Sequence, residues 1–553
     1  MVNKKGGYMF DILIKNGFVL NGTGQKMFQA DIGIKEDKIK KIGNLKRARA
    51  ETTLEAKGLY VSPGFIDIHN HSDSYWSLFS VSQAESMIRQ GVTTVIGGNC
   101  GSSLAPLTEG GIIKSIQKWA DINEVNVNWL RLAEFLEELS RRKIGINFGT
   151  LVGHSTLRRG LLKDEVRKIT NQEIKIMGRM LKEALQEGAF GLSTGLVYSH
   201  AKLASTEEII RLARVVKEND GLYTSHIRGE GEELIPSINE TIKIGREAKV
   251  SVEISHLKVM GRKNWPQMEK AIQMIEMAHK KGVEINFDVY PYTTTGSVLY
   301  VLLPDWVAKG GKEMLISRLK KPAIRARVVK EMRENNYDYD QITIAMSPAD
   351  KTFVGRKITD IAAGQRIIPE EIAPKGKKKL QPVPVKKTSV EEAIIDILIA
   401  AEGHVIAFVE TLSEENMRMA LKHPLSIVGS DGSGYNIDYA QRGELVHPRC
   451  FGTFPRVLGR YVREEKLLSW EEAIAKMTGK PSQKLGLSKR GILKKGNFAD
   501  ITIFNPRTII DRATFSNPYQ YPEGIEYVIL NGQLIVKQGS QTGLLEGRVL
   551  KKS

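Results

Sequence analysis

Residues 61–71, VSPGFIDIHNH, determine how the rest of the chain is interpreted. The run from Val61 to Ile68 is short and mostly apolar, as is typical of a buried strand, and two histidines follow where it ends. Successive side chains of a strand point to opposite faces, so His69 and His71 lie on the same side and can reach one metal ion. A lone His-x-His pair also occurs by chance, so its meaning depends on how the other strands end.

Similar apolar runs recur through the middle of the chain, separated by helical stretches such as Glu173–Glu187 and Glu207–Asn219. Short apolar strands that alternate with helices are typical of parallel βαβ units. We predict eight such strands: Val61–His69, Val92–Asn99, Ile146–His154, Phe190–Leu196, Leu222–His226, Val250–His256, Val283–Tyr290 and Ser426–Asp431. Eight of them indicate an α/β fold, a TIM-like (β/α)8 barrel.

The chain between the seventh and eighth predicted strands is too long for a single crossover. We therefore predict an insertion after strand seven, over about 298–395, at the rim of the barrel. Insertions of this length often form lids over active sites. The run KGKKKLQPVPVKK at 375–387 belongs to it and is typical of a solvated loop.

Both ends of the chain have the pattern of short strands joined by tight turns. Asn531–Gly532, for example, lies between two apolar runs, which is a strong hairpin signal. We predict that the two ends pair in a small β-sandwich domain formed by residues 1–62 and 487–553. Residues 63–486 then form the catalytic barrel.

Residues able to bind metal or transfer protons follow several barrel strands, at the rim where such barrels carry their chemistry. Cys100 follows the second strand, and His226 and His256 end the fifth and sixth. Asp431 ends the eighth. Each has an ordinary structural explanation on its own, such as an inert thiol, a polar core histidine or a turn aspartate. Together with the His-x-His pair they form a nitrogen, thiolate and carboxylate set that suits zinc.

The composition is that of a globular protein with a basic surface. The chain has 553 residues, 41% of them hydrophobic, and a formal net charge of +18. Basic residues are mixed with acidic ones, and the densest basic run, 375–387, has no interleaved aromatic residues. We therefore expect no nucleic-acid partner, although a diffuse positive field can help to recruit a small anionic substrate.

Two further expectations concern location. No apolar run reaches the roughly 18 residues of a membrane span, and Met1 to Gly7 is polar, so we expect neither a membrane partner nor a signal peptide. Cys100 and Cys450 are too few for a disulfide framework. Two reduced thiols are typical of a cytoplasmic protein.

The motifs at these strand ends resemble those of the amidohydrolase superfamily, and more closely its N-acyl-D-amino-acid deacylases (D-aminoacylases). The resemblance covers nearly the whole chain, up to the closing segment Thr542–Leu550. These segments carry it: SPGFIDIHNHSD at 62–73, GGNCG at 97–101, STGLVY at 193–198, SHIRGE at 225–230, ISHLK at 254–258, YPY at 290–292, GSDG at 429–432 and HPRCFGTFPRVLGRYVRE at 447–464. It implies zinc-dependent hydrolysis of the amide bond of N-acyl-D-amino acids, or of short peptides, to a carboxylate and a free D-amino acid.

The resemblance also implies a metal-ligand set. Many amidohydrolases bridge two metals with a carboxylated lysine on strand four, but FGLSTGL at 190–196 contains no lysine. In the deacylases a cysteine after strand two takes the bridging position, which matches Cys100. One tight zinc would then be held by Cys100, His226 and His256. A weaker second metal would use His69 and His71 and share Cys100.

By the same resemblance, zinc activates the attacking water and polarises the scissile carbonyl. Asp431 would be the general base that takes the proton of the water and the acid that passes it to the leaving amine. A substrate carboxylate needs a cationic partner, and Arg449 offers a planar bidentate fork. The resemblance implies these further substrate contacts: Lys258, Tyr198, Tyr290 and Ser297.

Other activities stay open at this point. GSGYNIDYAQRGELVHP at 432–448 is longer than the deacylase pattern, which leaves the preferred side chain undetermined. Alternatives are a dipeptidase for D-residues and a cyclic-amide hydrolase of the dihydroorotase or hydantoinase type, although the missing lysine argues against the latter. A barrel that had lost catalysis would lack some of these ligands or the aspartate, and all of them are present.

Overall fold

The structure is a computed structural model that describes residues 9–110, 127–163, 165, 167–308, 311–335, 338–364 and 387–552. The predicted basic loop at 375–387 lies, apart from its last residue, outside these residues.

The strands are, in chain order, β1 Met9–Val19, β2 Phe28–Lys35, β3 Lys38–Gly43, β4 Arg49–Glu55, β5 Tyr60–Pro63, β6 Phe65–Asp67, β7 Val92–Gly97, β8 Asn147–Thr150, β9 Val152–Gly153, β10 Gly191–Gly195, β11 Leu222–His226, β12 Ser251–Ile254, β13 Ile285–Val289, β14 Thr294–Val298, β15 Ile342–Met346, β16 Ile406–Glu410, β17 Ser426–Val428, β18 Ile501–Phe504, β19 Ile525–Leu530, β20 Gln533–Lys537 and β21 Ser540–Gln541.

The helices are α1 Ser77–Ser80, α2 Glu85–Ile88, α3 Leu132–Arg142, α4 His154–Leu162, α5 Asn171–Gln186, α6 Ser199–Lys202, α7 Thr206–Glu218, α8 Leu234–Ala248, α9 Gln267–Lys280, α10 Gly311–Leu319, α11 Pro322–Glu334, α12 Ile358–Ala362, α13 Val390–Ala400, α14 Glu414–Lys422, α15 Arg449–Arg456, α16 Trp470–Met477 and α17 Gly479–Leu485. A π-helix, Val457–Glu464, continues α15.

Parallel strands close into the predicted barrel. One sheet has the order β6-β7-β8, and a second has the order β17-β13-β12-β11-β10-β9. Only Leu151 separates β8 from β9. On the other side a parallel bridge between Asn70 and Gly432 joins the first strand to the last, and Asp431 donates its backbone N–H to the carbonyl of His69 at 2.9 Å. The ring of strands is therefore closed.

The prediction that Val61–His69 is a single strand is wrong. β5 pairs with β18 in the sheet of the termini, whereas β6 pairs with β7 in the barrel. Gly64 lies between them, and a Cβ atom there would be 2.3 Å from the side chain of Thr93. The chain thus passes from one sheet to the other where only glycine fits.

Helix α5 shows why the outer helices form where the sequence predicts them. The hydroxyl of Thr170 accepts from the N–H of Glu173, whose carboxylate accepts from the N–H of Thr170 in return. This capping box supplies partners for backbone groups that the helix leaves unpaired. The buried residues recur at helical spacing and face the core: Ile174, Met177, Leu181, Ala184 and Leu185.

Both ends of the chain contribute to one nine-stranded sheet, in the order β21-β20-β19-β18-β5-β1-β2-β3, with β4 pairing on β1. The predicted hairpin at Asn531–Gly532 joins β19 to β20, with φ of 50° and 83° at these two residues. Such angles are those of a tight hairpin turn. The domain boundaries 1–62, 63–486 and 487–553 stay predictions.

The insertion after strand seven contains a small antiparallel sheet, in the order β14-β16-β15. Its elements span Thr294 to Glu410, which is wider than the predicted 298–395. It has a hydrophobic core of its own that includes Leu299, Val328 and Ile394. Among the described residues, none of the helices combines the length and the apolar character that crossing a bilayer requires.

Candidate active site

The predicted metal ligands converge at the C-terminal rim of the barrel. Ligand atoms of His69, Cys100, His256 and Asp431 all lie within 4.8 Å of one another, and these residues are buried. A second group, His226, Glu230 and His256, meets the same criterion. Five barrel strands thus bring residues at their C-terminal ends to one point, as the positions of these residues in the sequence predicted.

The sulfur of Cys100 is at the centre of this cluster. It lies 3.4 Å from Nε2 of His69 and 3.5 Å from Nε2 of His256. Burial opposes ionisation of the thiol, but the charges of His69 and His256 and hydrogen bonds from His226 and His256 outweigh it and hold the pKa of Cys100 well below its usual value. The thiolate is the form of cysteine that binds metals.

Asp288, at the end of β13, orients two of the histidines. One of its carboxylate oxygens lies 3.1 Å from Nδ1 of His69, and the other accepts the backbone N–H of His256 at 2.8 Å. A carboxylate behind a ligand histidine fixes its ring and tautomer and leaves the opposite nitrogen free for the metal. The sequence analysis did not single out Asp288, although it lies near the end of the seventh predicted strand.

Asp67 supports the same rim from below. Its carboxylate accepts from the backbone N–H of Ser430 at 2.8 Å, from the hydroxyl of Ser430 and from the amide of Asn70 at 2.9 Å. Burial raises the pKa of Asp67 to about 6. These bonds join the first and last barrel strands beside Asp431. Asp67 is a second residue that the sequence analysis missed.

Asp431 lies between a histidine and an arginine. Its Oδ1 is 3.0 Å from Nε2 of His71, and its Oδ2 is 2.7 Å from Nη1 of Arg449. Burial would raise the pKa of Asp431, but the charges of Arg449 and His256 outweigh it and hold that pKa well below its usual value. The group is therefore a carboxylate able to accept a proton.

Arg449 begins α15 and is held by its neighbour His447. The Nδ1 of His447 accepts the backbone N–H of Arg449 at 3.1 Å, while Nε2 lies 2.9 Å from the carbonyl of Thr294. The guanidinium lies 5.0 Å from the ring centre of Tyr290. Arg449 is buried at the inner end of the cleft, where it can form a bidentate contact with a carboxylate.

The side chain of Lys258 contacts two other residues of the site, Glu230 and His256. Its ammonium nitrogen is 2.6 Å from Oε1 of Glu230, 2.7 Å from Nδ1 of His256 and 3.1 Å from the carbonyl oxygen of His256. An ammonium has three N–H donors, and the carboxylate of Glu230 and the carbonyl of His256 are acceptors for two of them. Glu230 is a further residue that the sequence analysis quoted, in SHIRGE, without giving it a role.

A cleft of about 1290 Å³ opens from this cluster toward the insertion. All predicted site residues except His69 line it, including Tyr198, Tyr290 and Ser297. The hydroxyl of Tyr290 is buried and has no hydrogen-bond partner among the described residues. A buried hydroxyl without a partner is costly, so it is well placed to bond a substrate.

The donor atoms that the protein provides at this site suit a zinc ion. Nδ1 of His226 is buried and has no partner among the residues that the structure describes. The ring centre of His226 lies 4.4 Å from that of His256, whose Nε2 is 3.5 Å from the sulfur of Cys100. One thiolate with two imidazoles leaves a coordination position for water or substrate, which is the pattern of catalytic zinc sites.

The closed barrel, with a thiolate, imidazole and carboxylate cluster at its rim, defines the class of metal-dependent hydrolases that the motifs indicated. The family model described as "Amidohydrolase family" matches residues 52–536, and the chain belongs to this family.

Individual relatives cover nearly its full length. The chain is 34% identical over 544 residues to a D-aminoacylase of Alcaligenes xylosoxydans xylosoxydans, a match covering 98% of each chain. It is similar in structure to N-acyl-D-glutamate deacylase from Bordetella bronchiseptica complexed with zinc and a phosphonate inhibitor, with a TM-score of 0.80 and 30% identity over 99% of this chain and 100% of that one. An L-hydantoinase from Arthrobacter aurescens, with 15% identity and a TM-score of 0.55 over 98% of this chain and 100% of that one, shares the fold alone.

Proposed function

We propose that the protein is a zinc-dependent deacylase that hydrolyses N-acyl-D-amino acids to a carboxylate and a free D-amino acid. The observation that carries the proposal is the position of Cys100, whose sulfur lies within 3.5 Å of ring nitrogens of His69 and His256 at the barrel rim. No lysine lies on β10, so a thiolate takes the place of the usual bridging group. The near full-length similarity to a D-aminoacylase supports a linear amide substrate of D configuration.

The contacts support the following ligand assignment. Cys100, His226 and His256 would hold the tight zinc. His69 and His71, sharing Cys100, would hold a second metal more weakly, since Nε2 of His71 is already close to Asp431. When bound, zinc supplies a Lewis acid that polarises the scissile carbonyl and lowers the pKa of water.

Asp431 moves the proton. As a carboxylate it accepts the proton of the attacking water, and as the resulting acid it donates that proton to the nitrogen of the leaving amine. Its Oδ2 is held by Arg449 at 2.7 Å, which fixes the carboxylate while Oδ1 faces His71.

Arg449 and Tyr290 would bind the α-carboxylate of the substrate. Both are buried at the inner end of the cleft, next to Asp431. A carboxylate bound there places the amide nitrogen toward Asp431 and the acyl group toward the wider part of the cleft. Lys258, Tyr198 and Ser297 line the same cleft and are the remaining proposed substrate contacts.

Dipeptides with a C-terminal D-residue are a second candidate substrate class. The cleft of about 1290 Å³ is larger than the 300–1,000 Å³ typical of small-molecule sites, so its outer part has room for an aminoacyl group. Cyclic amides are less favoured because β10 carries no lysine.

We also propose a cytoplasmic location and a small-molecule substrate without nucleic-acid partners. The two cysteines, Cys100 and Cys450, are both buried and form no disulfide. This is the state expected in a reducing compartment.

The test is the release of free amino acid from N-acetyl-D-methionine and N-acetyl-L-methionine, with zinc-loaded protein and after chelation. We expect release from the D form alone, and only with zinc. Equal release from both forms would contradict the stereochemical part of the proposal. Release that survives complete removal of zinc would contradict the metal part.

A further inference from the structure

Glu230 has a place in the metal centre that the proposed mechanism does not use. It lies four residues after His226 in SHIRGE, and its side chain is only 8% exposed. Its Oε1 lies 3.2 Å from Nδ1 of His256, and its Oε2 lies 3.6 Å from Nε2 of His226. One carboxylate therefore faces both of the histidines proposed for the tight zinc.

The opposite nitrogens of these two rings face the proposed metal position. Nε2 of His256 lies 3.5 Å from the sulfur of Cys100. Nδ1 of His226 is buried and has no partner among the described residues. A neutral imidazole carries one N–H and one lone pair, so a carboxylate that accepts the N–H on one side leaves the lone pair on the other.

We infer that Glu230 is a positioning residue that fixes the tautomers of His226 and His256 together, and that it does so without binding the metal. The inference rests on the proposed zinc ligands. Acceptance of the N–H of Nε2 of His226 and of Nδ1 of His256 would leave Nδ1 and Nε2, respectively, as the metal-binding nitrogens. A single side chain thereby prepares two of the three ligands of the tight site.

Lys258 shows why the carboxylate is needed. Its ammonium lies 2.7 Å from Nδ1 of His256 and can only donate, so by itself it stabilises the tautomer whose lone pair points away from Cys100. Glu230 offers an acceptor at 2.6 Å to the same ammonium. The carboxylate thus offers the ammonium another acceptor, and at 3.2 Å from Nδ1 of His256 it can accept the ring N–H that metal binding requires.

Substitution of Glu230 by glutamine keeps the shape of the side chain and removes its charge. We expect Glu230→Gln to weaken zinc binding by about 10- to 100-fold, the usual effect of losing such a partner, as measured by competition with a chelator. Glu240→Gln is the matched control, because Glu240 lines the same cleft but pairs with Arg228. Unchanged zinc affinity in Glu230→Gln, with the fold intact by circular dichroism, would overturn the inference.

A second variant separates positioning from damage to the fold. In Glu230→Gln/Lys258→Met the competing ammonium is gone, so zinc affinity should recover in part relative to Glu230→Gln. A further loss in the double variant would overturn the tautomer account. X-ray absorption should show the same first shell in wild type and Glu230→Gln, and loss of an oxygen ligand would show that Glu230 binds zinc directly. These readouts need no substrate, so they stand even if the proposed hydrolysis fails.

Discussion

Three side chains at the centre of the site stand on left-handed backbone. Cys100, His256 and Asp431 have φ of 52°, 38° and 51°. Non-glycine residues in this region cost about 1–3 kcal/mol each and persist where the surroundings demand them. Cys100 lies in the glycine-rich run GGNCG at 97–101, where a Cβ at Gly98 would lie 2.1 Å from the carbonyl oxygen of Leu151. The backbone is shaped to present these three groups to one another.

Removal of the thiolate tests its role as a ligand. Cys100→Ala should lose the tight zinc and all turnover, because two imidazoles alone do not make a tight zinc site. Zinc per chain after gel filtration is the measurement. Cys450→Ala is the control, since Cys450 lies outside the ligand cluster, and it should keep its zinc. Full zinc content in Cys100→Ala would disprove the ligand assignment.

Removal of the proposed base should separate binding from turnover. Asp431→Asn should keep the tight zinc while kcat falls by about 10²–10⁴-fold, the usual contribution of a general acid–base group. Parallel measurement of zinc content and kcat distinguishes this from loss of the metal. Residual hydrolysis within a few-fold of wild type would exclude Asp431 as the base.

The two thiols should differ in their pH dependence. The pKa of Cys100 is held well below its usual value by the neighbouring imidazoles against the effect of burial, whereas burial raises the pKa of Cys450 to about 11. In zinc-free protein, alkylation of Cys100 by iodoacetamide should therefore change little between pH 7 and pH 9. An ordinary thiol, with a pKa of about 8.5, reacts roughly tenfold faster per pH unit below that value. Such a rise at Cys100, read by mass spectrometry of the labelled peptides, would contradict the thiolate.

Among the elements, the long periodic segments were predictable and the close approaches were not. The apolar runs indicated where the barrel strands lie, and the predicted helix Glu173–Glu187 overlaps α5, which begins at Asn171. The break at Gly64 was not visible, because it depends on the distance to Thr93 in another strand. The insertion sheet was also missed, since β14 pairs with a β16 that is distant in the sequence.

The same contrast holds within the site. Residues at strand ends, such as His226 and Asp431, could be found because topology places them at one rim. Glu230 and Asp288 were missed because their roles depend on which ring nitrogen they face, which no spacing encodes. A usable signal existed for Asp288, since it is a carboxylate near the end of the seventh predicted strand, at the rim where the predicted ligands lie.

Two glycine substitutions should have opposite effects on stability. Gly64→Ala should lower the midpoint of thermal unfolding, because the new methyl would lie 2.3 Å from Thr93. Gly178→Ala, within α5, should raise the free energy of unfolding by up to about 1 kcal/mol, since its nearest neighbour, Val215, is at 3.7 Å and alanine favours the helix. An unchanged midpoint for Gly64→Ala would contradict the close approach between the two sheets.

Across the whole molecule, the two ends of the chain are tied to the base of the barrel. Asn531, in the terminal hairpin, donates to the side-chain oxygen of Asn147 in β8 at 2.8 Å and accepts from Arg490 at 2.8 Å. Arg490 also pairs with Asp500. This buried polar network lies on the side of the barrel away from the cleft, so it supports the barrel without entering the chemistry.

The path of the 432–448 loop links the barrel, the insertion and the terminal region. Glu444 pairs with Lys351 of the insertion at 2.8 Å, and the N–H of Leu445 bonds the carbonyl of Ala345 at 2.9 Å. The carbonyl of Glu444 accepts from the hydroxyl of Tyr519 at 2.9 Å. The loop therefore anchors the insertion, which lines part of the cleft.

The central claim is that a zinc ion held by Cys100, His226 and His256 makes this barrel a deacylase of N-acyl-D-amino acids. Titration of metal-free protein with zinc, while hydrolysis of N-acetyl-D-methionine is followed, tests it most directly. The account predicts that activity rises linearly and reaches its plateau at about one zinc per chain, the stoichiometry of a single tight catalytic site. No hydrolysis at any zinc concentration, or hydrolysis that begins only after the first equivalent has bound, would contradict it.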